Sequence, residues 1–154
     1  MIHQNTKVME QRVKIAEAFP EGQKGMIGLV TALSKINLTP IQKELIKIRA
    51  SQINGCSYCL DMHTRDALKY GETQQRLFVL SAWRETDLFT AEEKALLALI
   101  EEVTLIHQKG VTDETYKGAE KFFSAETIAQ IIMAIVLINA WNRIAISTHM
   151  PIPR

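Results

Sequence analysis

Residues 39–71 read TPIQKELIKIRASQINGCSYCLDMHTRDALKYG, and this stretch decides the fold class. Thr39 is placed to cap a helix, Pro40 suits its first position, and Gln42 stands where a capping box takes an amide or acid. Ile41, Leu45, Ile48 and Gln52 follow on one line at helical spacing. Asn54-Gly55 predicts the stop, because glycine enters the left-handed conformation that ends helices without a Cβ penalty. Cys56 comes at once, and Tyr58 to Lys69 read as a second helix closing at Gly71.

The flanks carry the same signals. Upstream, residues 4–18 read as an amphipathic helix ending before Pro20, and Glu21 to Ile36 as another, with Met26, Leu29, Val30 and Leu33 apolar at helical spacing. Downstream, residues 73–83 predict a short helix. Thr90 and Glu93 form a second capping box that opens a helix to about Gln108, ended by Gly110. Thr112 caps a short helix through Phe122, and Ser124 caps the last and longest, to about His149 before Pro151. No stretch sustains period-two alternation, and seven Gly and four Pro are few for a β-sandwich. One all-α domain over residues 1–154 is expected, with a CxxC pair at the start of a central helix.

Within the last helix, IAQIIMAIVLINAW (residues 128–141) is apolar on every side, the pattern of a helix buried all round. A domain of this size has limited room to enclose such a helix, so part of it is expected to meet another subunit; a central helix in a monomer is the alternative. The longest apolar run, Ile131 to Ala140, is too short to span a bilayer. MIHQNTKVMEQRV at the start shows no signal-peptide pattern, and a cytoplasmic location is expected. A formal net charge of +1 gives no electrostatic reason to expect nucleic acid or an anionic membrane as partner.

Chemistry concentrates in Cys56-Ser57-Tyr58-Cys59-Leu60-Asp61-Met62-His63. Cysteines three apart at a helix start can close a small disulfide ring with little backbone movement. Amides at a helix N-terminus favour a thiolate, and by position alone Cys56 is the more acidic thiol. His63 lies four residues after Cys59 on the same helical face, in reach as a base or relay. The turn position implies some solvent access for both sulfurs. Glu44 lies in or beside the apolar stripe of the preceding helix, and a turn at Gly55 would bring it to His63 or Cys59, with burial raising its pKa. The plainer reading makes it a rim carboxylate bonded to Lys47 or Lys43. Zinc is a rival for the cysteines, but C-x2-C-x3-H offers three ligands where structural zinc takes four.

Glu44, eleven intervening residues, Cys56-x-x-Cys59, three more and His63 together resemble the signature of the AhpD-like branch of the carboxymuconolactone decarboxylase superfamily. The run Asn139-Ala140-Trp141-Asn142-Arg143 is similar as well, and the likeness covers about residues 15 to 148. The resemblance implies a helical subunit that forms homo-oligomers (dimers, trimers or hexamers). It also implies an alkylhydroperoxidase-like oxidoreductase with no prosthetic group and no metal. In that scheme Cys59 attacks the peroxide of a small hydroperoxide. Cys56 then resolves the sulfenic acid to a disulfide, which a thiol or dithiol reductant, such as a protein, reopens. His63 and Glu44 relay the proton. The best-studied members carry a second histidine just before the second cysteine, where this chain has Tyr58, a poor base near neutrality. A lactone decarboxylase with His63 and Glu44 as acid and base is the alternative on the same fold, and a zinc or partner-binding module a third.

Other residues carry plainer expectations. Trp141, Asn139 and Asn142 are read as core or as satisfied buried amides, with a pocket or interface role second. Arg143 is expected to pair with a carboxylate across a subunit contact. Glu92-Glu93 and Glu101-Glu102 read as a solvated helix face, and Met26, Met62 and Met133 as core gap-fillers. His3, His107 and His149 have no partner visible in the sequence.

Overall fold

The computed structural model describes residues 9–153, and every regular element in them is helical. The order is α1 (Ile15–Ala18), α2 (Pro20–Ser34), α3 (Pro40–Asn54), α4 (Ser57–Lys69), α5 (Gln74–Val79), a 3₁₀ segment (Leu80–Glu85), α6 (Ala91–Thr104), α7 (Ile106–Lys109), α8 (Asp113–Glu120) and α9 (Ala125–Thr148). The hydroxyl caps act where the sequence marks them. Thr39 and Thr90 each close a full capping box, with Gln42 and Glu93 as the reciprocal partners. Thr112 and Ser124 accept from the amides of Thr115 and Thr127. Gly55 ends α3 at φ 71°, and the amide of Cys56 donates to Ser51 O at 3.0 Å, turning the chain back into α4.

Three boundaries differ from expectation. Residues 4–8 of the first expected helix lie outside the described residues, and of the rest only Ile15–Ala18 is helical. Arg12 bonds elsewhere: its amide donates to Thr148 O at 2.9 Å and its Nη1 to Ser147 O at 3.1 Å, holding the incoming chain against the end of α9. The helix expected over 73–83 divides, because Ala82 leaves helical angles within the 3₁₀ segment. The helix expected to reach Gln108 breaks at Leu105 (φ −97°, ψ 33°), and α7 continues to Gly110.

α3 is the central element. It packs against α4, α6 and α9 and buries Leu45, Ile46, Ile48 and Ala50. Each buried aliphatic side chain contributes about 1.5–3 kcal/mol. α9 covers the other side with Ile128, Ile131, Ile135 and Ile138, but it is not buried all round: Met133, Val136 and Ile146 are exposed. Its full length also corrects the estimate from the apolar run. By length and composition Ala125–Thr148 is long and apolar enough to cross a membrane. In this chain one of its faces packs on α3 and α6. None of the residues of α2 is buried, and Ile27 and Val30 are exposed on it.

Buried amides in the seam between α3 and α9 are paired. Asn142, fully buried, donates to Ser51 Oγ at 2.9 Å and accepts from Asn54 Nδ2 at 2.9 Å. Asn139 accepts from the same Asn54 amide and donates to Thr104 Oγ1. Arg143, expected to pair with a carboxylate across a subunit contact, is exposed and bonds to Asn139 O and Oδ1 on its own helix within the single chain. The acidic pairs of α6 are not a solvated face. Glu93 pairs with Arg76 at 2.6 Å, Glu101 with Arg49 at 2.8 Å and Arg84, Glu102 accepts from the Thr112 amide, and Glu92 accepts from Gln42 Nε2. Trp83 donates its indole N–H to Glu101 at 2.9 Å. Replacing Asn142 by Ala removes the donor to Ser51 Oγ and one of the two acceptors of the Asn54 amide in the α3–α9 seam. A loss of about 2 kcal/mol is expected in urea unfolding, against little change for Gln130→Ala on the outside of α9.

Candidate active site

Cys56 is the N-cap of α4, and its Sγ accepts the amide of Cys59 at 3.3 Å. The two residues are joined as a disulfide, Cα to Cα 5.4 Å, within the span such bridges take. In this state neither sulfur is a free thiolate. Solvent access at the turn is corrected. Cys56 and Cys59 are 1% and 2% exposed, because α4 packs this face on α3 and α9.

Opposite them, α3 presents Glu44, buried among the aliphatic residues of its inner face. A carboxylate there needs donors, and it has two. His63 Nδ1 lies 2.9 Å from Oε2 and Lys47 Nζ 2.6 Å from Oε1. Both expectations for Glu44 therefore hold at once, the histidine partner and the lysine partner. The expected pKa direction does not hold. Burial pushes the carboxyl upward, but the bonds from His63 and Lys47, with their charges, outweigh it and hold the pKa below the ordinary 4.5. Glu44 thus stays an acceptor. A carboxylate can only accept, which assigns the proton to Nδ1 of His63 and leaves Nε2 as the ring's free acceptor.

Above this pair opens a cavity of about 460 Å³ between α2, α3, α4 and α9. Cys59 and His63 line it together with Tyr58, Met62 and Trp141. Trp141 therefore faces the cavity, while its neighbours Asn139 and Asn142 serve the seam between helices. Met62 and Met133 are 39% and 43% exposed, not core fillers, and Met62 belongs to the cavity wall. His107 is exposed on α7, and His3 lies outside the described residues. Asp66, not singled out in the sequence, joins the group: ligand atoms of Glu44, His63 and Asp66 lie within 4.8 Å of one another. Its signal was the three-residue step from His63 along α4, which places both on one face. Each carboxylate already holds a lysine, Lys47 on Glu44 and Lys69 on Asp66.

Residues 20–102 match the model of the carboxymuconolactone decarboxylase family. The chain belongs to this family. An uncharacterized protein, YdfG of Bacillus subtilis, is 45% identical over 139 residues, 90% of this chain and 95% of that one. A crystal structure from Agrobacterium tumefaciens, ATU0492, of unknown function and described with antioxidant defence and AhpD, superposes with a TM-score of 0.91 at 36% identity, covering 94% and 99% of the two chains. A Ralstonia eutropha structure described as an alkylhydroperoxidase AhpD core and an uncharacterized peroxidase-related protein gives 0.79 at 19% identity, over 90% and 74%. That last likeness is of fold. Together they place the chain in the AhpD-like branch, and the fold with its Cys/His/Glu arrangement is consistent with a redox-active antioxidant domain of this branch.

The lowered Glu44 pKa has a consequence for stability. A carboxyl whose folded pKa is depressed binds fewer protons folded than unfolded, so its contribution is full above the ordinary 4.5 and is lost as pH falls through the folded value. Acid unfolding followed by circular dichroism should begin below pH 4.5, and Glu44→Gln should flatten that acid limb.

Proposed function

We propose that this chain is a dithiol peroxidase that reduces small organic hydroperoxides through Cys56 and Cys59. One observation carries the reading: Cys59 and His63 share the wall of one apolar cavity, with the His63 ring held from behind by a permanent carboxylate. In the reduced protein, Nε2 of His63 takes the proton of the Cys59 thiol. The thiolate attacks the terminal peroxide oxygen and the O–O bond breaks. The leaving alkoxide takes a proton to become the alcohol, and Cys59 becomes a sulfenic acid. Cys56 then attacks the Cys59 sulfur, expels water and closes the bridge. Glu44 acts as the orienting group in this relay, in the way that a buried carboxylate fixes a catalytic imidazole.

The bonded state of the cysteines supports the second half of this cycle, and the Cys59 amide directed at the Cys56 sulfur favours a thiolate there. Tyr58 lines the cavity, where its hydroxyl can donate to a bound oxygen. We also propose a cytoplasmic protein reduced by a thiol or dithiol and assembled as a homo-oligomer. The exposed Ile27 and Val30 of α2 and Met133 and Val136 of α9 support a subunit contact.

Thiol titration of the reduced protein before and after an equivalent of cumene hydroperoxide should show two thiols lost together per chain. Cys59→Ser should consume no peroxide, and Cys56→Ser should stop at a sulfenic acid that dimedone traps. His63→Gln and Glu44→Gln should each slow the first step, by about 100-fold for the histidine. Thiols that survive excess peroxide unchanged would end this reading.

A further inference from the structure

The cysteine bridge is met from two sides. The larger cavity touches Cys59 and not Cys56. A second cavity, of about 220 Å³, touches Cys56 and not Cys59. Tyr58, Ala145 and Met150 border both and form the partition between them. Thiol–disulfide exchange is a displacement at sulfur, with the attacking and leaving sulfurs at opposite ends of the line through the sulfur attacked. A thiol that attacks Cys56 from the smaller cavity has Cys59 as its leaving group.

Among the described residues its lining has no carboxylate, lysine or arginine. Its walls are apolar, from Met9, Ile146 and Met150, with Ser57 and Tyr58 as polar members. His149 brings the one imidazole among these described lining residues, a ring whose nitrogens can take and return a proton. Its backbone is equally distinctive. At φ 53° and ψ 50° it is the only non-glycine residue with positive φ among the described residues. Glycine adopts that conformation freely at a helix end, and histidine does so at a conformational cost. The surroundings hold it there. Its amide donates to the last turn of α9, the Met150 amide donates to Ala145 O at 2.9 Å, and Arg12 is bonded to Ser147 and Thr148 just before it. The same tether brings Met9 to the cavity wall.

We infer that the smaller cavity is the entrance for the thiol that reopens the bridge, and that His149 is the base that takes that thiol's proton. The inference rests on the dithiol reading above. The entering dithiol gives one proton to the His149 imidazole, and its thiolate sulfur bonds to Cys56. The Cys56–Cys59 bond breaks, and its electron pair passes to Cys59, which takes a proton from solvent through His63. The reductant's second thiol loses its proton to solvent and attacks its own mixed disulfide. Cys56 leaves as a thiolate and takes the proton held on His149. The reductant leaves as a cyclic disulfide, two electrons poorer, and the bridge has gained them. A histidine that exchanges a proton at each reduction explains why imidazole occupies a position whose backbone suits glycine.

The test follows reduction of the oxidised full-length protein by thiol appearance, with no peroxide present. Two reductants are compared: dithiothreitol, which must lose a proton to attack, and tris(hydroxypropyl)phosphine, which attacks through a lone pair and has none to lose. His149→Asn and His149→Gly both suit the left-handed backbone, so the end of α9 is kept, as circular dichroism will verify. In both variants, reduction by dithiothreitol at neutral pH should slow about tenfold or more. Reduction by the phosphine should stay within about twofold of wild type, and added imidazole should restore His149→Gly with dithiothreitol. Equal slowing with both reductants would make His149 a mere support of the entrance and overturn its role as base. No slowing with dithiothreitol would overturn the inference outright. A His149-dependent reduction in a protein whose thiols ignore peroxide would leave this inference standing and remove the peroxidase reading.

Discussion

The hydrogen bond between His63 Nδ1 and Glu44, 2.9 Å long across the α3–α4 hairpin, is the constraint on which the site depends. An ionised carboxylate inside a packed interface is tolerated only when donors replace the lost water. His63 and Lys47 are those donors, and they come from both sides of the carboxylate. One consequence is electrostatic: Glu44 stays charged although it is buried. The other is geometric. A ring whose Nδ1 is committed to a carboxylate has one orientation and one tautomer, and its other nitrogen is left for the cavity that Cys59 shares.

The Gly55 turn makes that bond possible. Its left-handed backbone reverses the chain in a single residue, so α4 returns along α3 with Cys56 as its N-cap. The buried network of Ser51, Asn54 and Asn142 fixes the end of α3 against α9 from the other side. The sulfur pair thus lies where three helices meet, buried in itself yet bordered by a cavity on either side. On the cycle proposed above, separate cavities keep oxidant and reductant from competing for one volume.

Much of this was legible in the sequence, and the misreadings have physical causes. Thr39, Thr90, Thr112 and Ser124 announced helix starts correctly because capping is local, a matter of three or four residues. The first helix failed for the opposite reason: Arg12 bonds to the far end of the chain, at Ser147 and Thr148, and no nearby residue could signal that. Glu101 read as solvated because its partners Arg49, Trp83 and Arg84 lie on other elements. Burial alone suggested a raised Glu44 pKa, whereas two close donors reversed its sign. Helix 128–141 read as buried all round, with part of it against another subunit, and a single chain covers only one of its faces.

By itself the sequence determined the all-helical class, the capped helix starts at Thr39, Thr90, Thr112 and Ser124, and that Cys56, Cys59, His63 and Glu44 fall at mutually compatible spacings. Helix formation, caps and i,i+3 or i,i+4 neighbours are set within a few residues, so a linear reading reaches them. The tertiary structure alone decided that Glu44 remains ionised, that each cysteine borders a different cavity, and that His149 lines the cavity of Cys56 and not that of Cys59. Those outcomes depend on desolvation and on contacts between residues as far apart in the chain as Arg12 and Ser147, 135 positions. Such contacts exist only after α3, α4 and α9 have packed.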